Sequence, residues 1–215
     1  MYEKGIQTRN HIYHTAKQLF YDQGYTKTRI QQITEAAGVP IGLFTYYFKT
    51  KDKIVQQIYS EFNTKISLRV TEATQKGFEN SIIRHAVHSW IYYDRLLNDP
   101  GNCRFYAEVM ATKSNYRVLR QFSHDIYSRY VEDFNLHISE KDLNTLIIME
   151  FGARREYFLH YFDQDFDYTI DEIIFYLNGT MPRLLGIDQS LVSELLYKGI
   201  ALAKAIPSDD LIFLV

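Results

Sequence analysis

The chain has 215 residues, is 46% hydrophobic and carries a net charge of −2; it is long enough to bury a sizeable core, and its charge alone does not point to nucleic acid. No stretch approaches the roughly 18 uninterrupted apolar residues of a membrane helix, and the start, MYEKGIQTRN, holds no apolar signal core, so a cytoplasmic protein with no membrane partner is expected. The single cysteine, Cys103, rules out an intrachain disulfide and a multi-cysteine metal site, and reads as a small, half-buried apolar residue.

From Ile6 to Gln23, the residues Ile12, Ala16, Leu19 and Phe20 mark one face of a helix that ends at Gly24, with Tyr25 joining the same core. Thr28, followed three residues on by Gln31, reads as a capping box that opens a short second helix; its stripe of Ile30, Ile33 and Ala37 stops at Gly38. Pro40 suits the first turn of a third helix, and Phe44 with Phe48 gives that helix one buried stripe. At about 100° per residue, Gly42 and Tyr46 then face away from the stripe, with Leu43 and Thr45 on its flanks. Two brief helices joined by an Ala-Ala-Gly turn form a helix-turn-helix, whose second helix fits a DNA major groove.

Thr50 caps the next helix, where Ile54, Ile58, Phe62, Ile66 and Val70 recur every four residues. No Pro- or Gly-rich linker precedes it, so the head (residues 1–50) is joined by a continuous helix to the body (51–215). Residues 1–53 hold eight basic and four acidic side chains, a net +4, which leaves −6 on the remainder. A cationic head on an anionic body suits a DNA-contacting module fused to a second unit.

In the body, Ser81 to Leu97 reads as a helix through Ile82, Ile83, Ala86, Trp90, Tyr93 and Leu97, and Asp99-Pro100-Gly101 as a break. Phe105–Ala111 and Asn115–Leu136 follow as helices, the latter with Phe122, Ile126, Tyr130 and Phe134 on one face. Ser139 with Asp142 caps a helix through Leu146, Met149, Ala153, Tyr157 and Tyr161. Thr169 with Glu172 opens another, through Leu177 and closed by Pro182, and Asp188 starts the last, to about Ala205. There is no alternating strand, repeat or low-complexity tract, so the expected fold class is all-α.

Ile33-x-x-Ala36-Ala37-Gly38-Val39, then Gly42-Leu43-Phe44, then Tyr47-Phe48-Lys49-x-Lys51 resembles the DNA-binding signature of the TetR-type transcriptional repressors. The resemblance covers residues 6 to 54, about a quarter of the chain, with several positions agreeing in order and spacing. It departs at Thr45 and Tyr46, where the family favours other residues. The resemblance implies a ligand-responsive repressor whose body dimerises through two late helices, Ser139–Phe162 together with either Thr169–Leu185 or Asp188–Ala205. It also supports Tyr47 and Lys51 as phosphate anchors.

The recognition helix, Pro40 to Tyr47, has no Arg, Lys, Asn or Gln for a bidentate base contact. Readout then rests on apolar contacts from Ile41 or Leu43 to thymine methyls, on the Thr45 hydroxyl and on close approach at Gly42. Thr28, Arg29 and Gln31, at the start of the preceding helix, complete the base-side set, and Tyr46, Tyr47 and Lys51 are the phosphate-side set. For a small-molecule inducer in the aromatic body, the candidates are Phe62, Trp90, Tyr93, Tyr106 and Arg154. Glu150 and Arg154 read first as a surface pair at i,i+4 spacing, with an interface or ligand-carboxylate contact as the alternative.

His85-x-x-His88 shares a helix face but has no third ligand nearby; it reads first as two ordinary polar residues, with a metal or ligand contact as the alternative. Asp163-x-Asp165-x-Asp167 fails as a calcium loop, with Tyr168 at the sixth position and Ile174 at the twelfth. No catalytic motif, cofactor site or metal site is expected. The expected function is a DNA-binding repressor that acts as a homodimer on a near-palindromic double-stranded operator and is released by an inducer. The alternative is a DNA-binding dimer whose body serves assembly only, which a fully packed body without a cavity would favour.

Overall fold

The computed structural model describes residues 3–74, 77–112, 114–163 and 167–215. Among these lie ten helices and no strand: α1 (Glu3–Gln23), α2 (Ile30–Ala36), α3 (Ile41–Tyr47), α4 (Lys51–Ala73), α5 (Ser81–Leu97), α6 (Pro100–Ala111), α7 (Ser114–Asp133), α8 (Glu140–Phe162), α9 (Ile170–Leu184) and α10 (Gln189–Lys204). The protein is all-α, as its periodicity predicts.

Several helix starts follow from single side chains. Ser139 accepts from the Asp142 N–H, Thr169 from the Glu172 N–H and Asp188 from the Leu191 N–H, while the Glu172 carboxylate accepts in return from the Thr169 N–H. Each satisfies a backbone donor that the helix itself leaves orphaned. Other starts depart from expectation. Asp99-Pro100-Gly101 is the beginning of α6, because Asp99 accepts from the Asn102 N–H at 2.8 Å and Pro100 occupies the first turn. Thr50 stands at the start of α4 with extended backbone, but its side chain makes no capping hydrogen bond. Pro182 lies within α9, which runs on to Leu184.

In the head, α1 lays Ile12, Ala16 and Phe20 against Ile33 of α2 and Phe44 of α3, all of them fully buried. Gly38, at φ +62, makes the turn between α2 and α3 in a conformation most side chains avoid. The head is fastened to the body by more than the α4 rod. The Phe20 ring meets Phe105 of α6 at 5.4 Å, Tyr21 donates to Asp99 at 3.1 Å, and the Thr26 N–H donates to Glu108 at 2.6 Å.

The body is built around α5, which packs against α4, α6, α7, α9 and α10. Its contact with α10 is close: a Cβ on Gly199 would stand 2.6 Å from the Ala86 Cβ, so only glycine fits there. Past α10 the chain returns to α4 as a strap. Phe213, 2% exposed, inserts among Phe62, Tyr59 and Phe105 at 5.0, 5.6 and 5.8 Å. The Asp210 carboxylate takes a two-pronged hydrogen bond from Arg69 of α4 at 2.8 and 2.6 Å, and Asp209 lies 3.2 Å from Arg95 of α5.

Because Phe213 fills the junction of α4, α6 and the tail, Phe213→Ala should lower unfolding free energy by about 3–5 kcal/mol, the usual cost of emptying a buried phenylalanine site. Urea denaturation compared with Ile212→Ala, a half-exposed neighbour, checks this. Equal midpoints for the two variants would show that the strap contributes nothing.

Candidate DNA-reading face and internal cavity

In α3 only Phe44 is buried within the helix, its ring 5.8 Å from that of Phe48, and this one-sided anchoring leaves the rest of a two-turn helix facing out. Ile41 is 57% and Tyr46 73% exposed, Gly42 and Thr45 are exposed, and Leu43 and Tyr47 are half-buried. The Thr45 hydroxyl rests on the Ile41 carbonyl at 3.4 Å, and Tyr46 packs edge-on against Tyr47 at 4.9 Å. A Cβ on Gly42 would meet nothing within 4 Å, so the fold does not require glycine there. Arg29 and Gln31 of the α2 start are exposed too, with Gln31 donating to Glu35.

Thr28 is neither a cap nor a DNA contact. It is fully buried, its hydroxyl donates to the Gly24 carbonyl at 2.6 Å, and it accepts from Gln23. Arg29 takes the cap position, and it is Gln32 rather than Gln31 that accepts from the Arg29 N–H, at 2.8 Å. Lys51 is turned partly inward. Its ammonium donates to the Tyr25 and Thr28 carbonyls at 2.8 and 2.6 Å and lies 4.2 Å from the Tyr25 ring centre, leaving one N–H for a phosphate. Burial lowers its pKa, with Asp52 and Glu108 opposing. The candidate set omitted Lys49, which is exposed and takes φ 64 as the chain turns from α3 into α4; its place in the Tyr47-Phe48-Lys49 run was the available signal.

Helices α5 to α8, with Asn63 of α4, line a partly open cavity of about 410 Å³, within the range of drug-sized sites. Tyr93, Tyr106 and Arg154 line it. Two other candidates lie elsewhere. Phe62 packs on Tyr92 and Phe213, and the Trp90 indole N–H donates to Asp171 at 2.8 Å, because the four-residue spacing from Ala86 carries Trp90 to the α9 side of α5. His85, His88, Ser89 and Tyr127 also line the cavity and were not among the candidates. The His85-x-x-His88 spacing did place both imidazoles on one face.

Glu150 and Arg154 form no surface pair. Glu150 is 1% exposed, and the Arg154 Nε–H donates to its Oε1 at 2.7 Å. The helix offers no solvent-facing choice at this point, since Leu143, Ile147 and Phe158 bury the same stripe. Arg154 Nη1 donates to the Tyr93 hydroxyl at 2.8 Å. Burial works against the Arg154 charge, but Glu150 and the Tyr93 and Tyr127 oxygens outweigh it and raise its pKa.

His85 Nδ1 is 2.7 Å from the Tyr130 hydroxyl, and His88 Nε2 is 3.4 Å from the Asn63 carbonyl. Burial holds the His85 pKa well below its usual range, with Arg154 and His88 adding to the shift. Burial also brings His88 down to about 4, the Asn63 carbonyl opposing in part. Among the described residues no group of three or more His, Cys, Asp and Glu is placed to hold a metal ion. Of the Asp163-x-Asp165-x-Asp167 pattern, Asp165 lies outside the described residues. Cys103 is half-buried, and burial raises its thiol pKa.

A family model described as bacterial regulatory proteins, tetR family, matches residues 12–65, from the middle of α1 into α4. The chain is 31% identical over 70 residues to the HTH-type transcriptional repressor DhaR of Mycobacterium sp., covering 31% of this chain and 35% of DhaR. It is 25% identical over 160 residues to the probable HTH-type regulator YttP of Bacillus subtilis, covering 71% and 68%. With the HTH-type regulator AcrR of Shigella flexneri it shares 30% over 133 residues, covering 57% and 62%. The matches thus span from about a third to about two thirds of these relatives' lengths. Among solved structures, RolR without ligand superposes with a TM-score of 0.61 at 15% identity, covering 87% of this chain and 96% of RolR. RolR in complex with resorcinol gives 0.63 at 18%, covering 91% and 96%. These two likenesses establish the fold.

The depressed histidines give acid sensitivity a definite sign. In the unfolded chain both titrate near 6.5, above their folded values, so the unfolded state takes up protons first. Their contribution to stability is therefore complete above that pH and declines as pH falls toward 4, by up to about 1.4 kcal/mol per pH unit for each histidine. Urea midpoints measured from pH 7 to pH 5 should fall less steeply in His88→Phe than in the parent; identical slopes would refute the assignment.

Proposed function

We propose that this TetR-type transcriptional regulator is a repressor that binds a near-palindromic DNA operator as a homodimer and is released by a small-molecule inducer seated among α5 to α8. The observation that carries the reading is that one short helix, α6, touches both places: Tyr106 lines the cavity, while Phe105 and Glu108 hold the head. A ligand that displaces α6 has a direct route to the orientation of α3. RolR, a protein of the same fold, has been solved with resorcinol, which supports reading the body as a small-molecule receptor. A body serving assembly alone gains nothing from keeping about 410 Å³ open.

On the DNA side, Ile41, Gly42 and Thr45 meet base edges, with Leu43 at the margin and Arg29 and Gln31 beside them. Tyr46, Tyr47, Lys49 and the remaining Lys51 N–H hold phosphates. The exposed side chains Tyr176 and Leu184 of α9 and Leu191, Tyr197 and Leu202 of α10 suit a two-fold interface. A dimer sets its recognition helices about 34–36 Å apart. Two states with different head spacing, coupled to inducer by the usual 1–3 kcal/mol, alter operator affinity by roughly 5- to 150-fold.

Sequencing DNA fragments enriched by the purified protein should return inverted half-sites centred about one helical turn apart; fragments without inverted symmetry would overturn the reading. Gly42→Ala separates folding from recognition. It should raise helix stability by about 0.5–1 kcal/mol yet weaken binding to the selected operator about tenfold, the scale of one lost base contact. Unchanged operator affinity would remove α3 from the groove. Tyr197→Glu should convert the dimer to a monomer in sedimentation analysis.

A further inference from the structure

The charges of the cavity wall cancel within the wall itself. Arg154 lines the space, and its Nε–H and Nη2 meet a single Glu150 oxygen at 2.7 and 2.5 Å. Among the described residues the other carboxylate oxygen, Oε2, is buried without a hydrogen-bond partner, so Glu150 depends on Arg154 for its compensation. Nη1 of Arg154 is occupied by the Tyr93 hydroxyl. His85 and His88 are uncharged at neutral pH. Among the described lining residues there is no carboxylate, and the second cation, Arg155, is exposed, where water and salt screen it. Apart from the paired Arg154 and the exposed Arg155, what faces the space is uncharged: hydroxyls, imidazoles and rings, including Ser89, Tyr106, Phe122 and Tyr127.

We propose that this cavity selects an uncharged, planar ligand bearing a hydroxyl or similar hydrogen-bonding group over the ionised form of the same molecule, and that Glu150 is the residue that sets the preference. The proposal rests on reading the cavity as the inducer site. An anion entering it sheds its water and meets a guanidinium already neutralised by Glu150; a cation sheds its water and meets that same guanidinium. A planar neutral molecule keeps edge-to-face contact with the surrounding rings and finds partners in the hydroxyls and imidazoles. Removing the Glu150 charge reverses the logic. Arg154 is then a desolvated cation without a counter-charge, and a carboxylate or phenolate is its natural partner.

4-Nitrophenol tests this directly, because its ionised form absorbs visible light and its neutral form does not, so the spectrum reports which form is bound. With the parent protein, binding should raise the pH at which the probe ionises by at least about one unit, a tenfold preference for the phenol. Glu150→Gln should reverse the sign and favour the phenolate. The double variant Glu150→Gln, Arg154→Met, which removes both charges, should again favour the phenol and covers the case in which the single variant does not fold. A lowered ionisation pH with the parent protein, or a folded Glu150→Gln variant with unchanged preference, overturns the proposal. Thermal shifts with 2-naphthol and 2-naphthoate separate the two levels: stabilisation of the parent by the naphthoate alone sinks the neutral-ligand inference and leaves the inducer site standing. If nitrophenol, naphthol and naphthoate all fail to bind, both fall together.

Discussion

Phe105 is the residue around which head and body are joined. It is fully buried, and its ring is met by Phe20 of α1 at 5.4 Å, Phe213 of the tail at 5.8 Å, Tyr25 of the head loop at 6.3 Å and Tyr59 of α4 at 6.4 Å. The contacts with Tyr25 and Phe213 are edge-to-face, a geometry that adds to simple area burial. The next residue along, Tyr106, turns by one helical step and reaches the cavity. Two consecutive side chains on α6 therefore belong to different environments, and neither can move without the other. Packed interiors respond to such displacement by switching between arrangements rather than by stretching.

The cavity follows from the same economy of polar groups. The titratable side chains that line it include His85, His88, Tyr92, Tyr106, Tyr127 and Arg154, all largely buried. Burial penalises whichever form carries charge, so the histidines stay neutral, the tyrosines stay protonated, and only Arg154 remains charged because Glu150 stands beside it. An open space in such a wall forfeits dispersion contacts on every side. A ligand that fits restores them, and its binding free energy adds to the stability of whichever state holds it.

Much of the fold is legible in the sequence because its elements are punctuated locally. The stripe of Ile54, Ile58, Phe62, Ile66 and Val70 and the caps at Ser139, Thr169 and Asp188 each depend on residues within a turn or two. The outward face of α3 is legible for the same reason, since a seven-residue helix anchored by Phe44 has few ways to sit. What resists reading depends on partners distant in sequence. Glu150 looks like a surface residue until α5 supplies Tyr93, 61 positions from Arg154. Thr28 is a local exception: it has the composition of a cap, but the Gly24 carbonyl, four residues back, captures its hydroxyl first. Phe62 and Trp90 are aromatic residues on the correct helices that face away from the cavity, and helical periodicity alone does not say which neighbour a face meets. The strap is invisible to pattern reading, because Phe213 follows the last helix in a segment too short to show any period.

The strap bears on the proposed switch. The α4 rod is held at its start by Lys51, which donates to the Tyr25 and Thr28 carbonyls, and toward its far end by the Arg69–Asp210 pair. Twenty-three residues of helix make an arm of about 35 Å. Pivoted at the strapped end, a tilt of about 5° carries the other end through about 3 Å, and opposed motion in two protomers doubles the change in spacing. Measured against a groove repeat of about 34–36 Å, in the proposed dimer that would set α3 out of register with one of the two half-sites. A head hung on a loose linker would rotate to recover the match. This one is fixed to α4 by Lys51 and to α6 by Glu108 and Phe105, so a small displacement at the cavity wall has no slack in which to be lost.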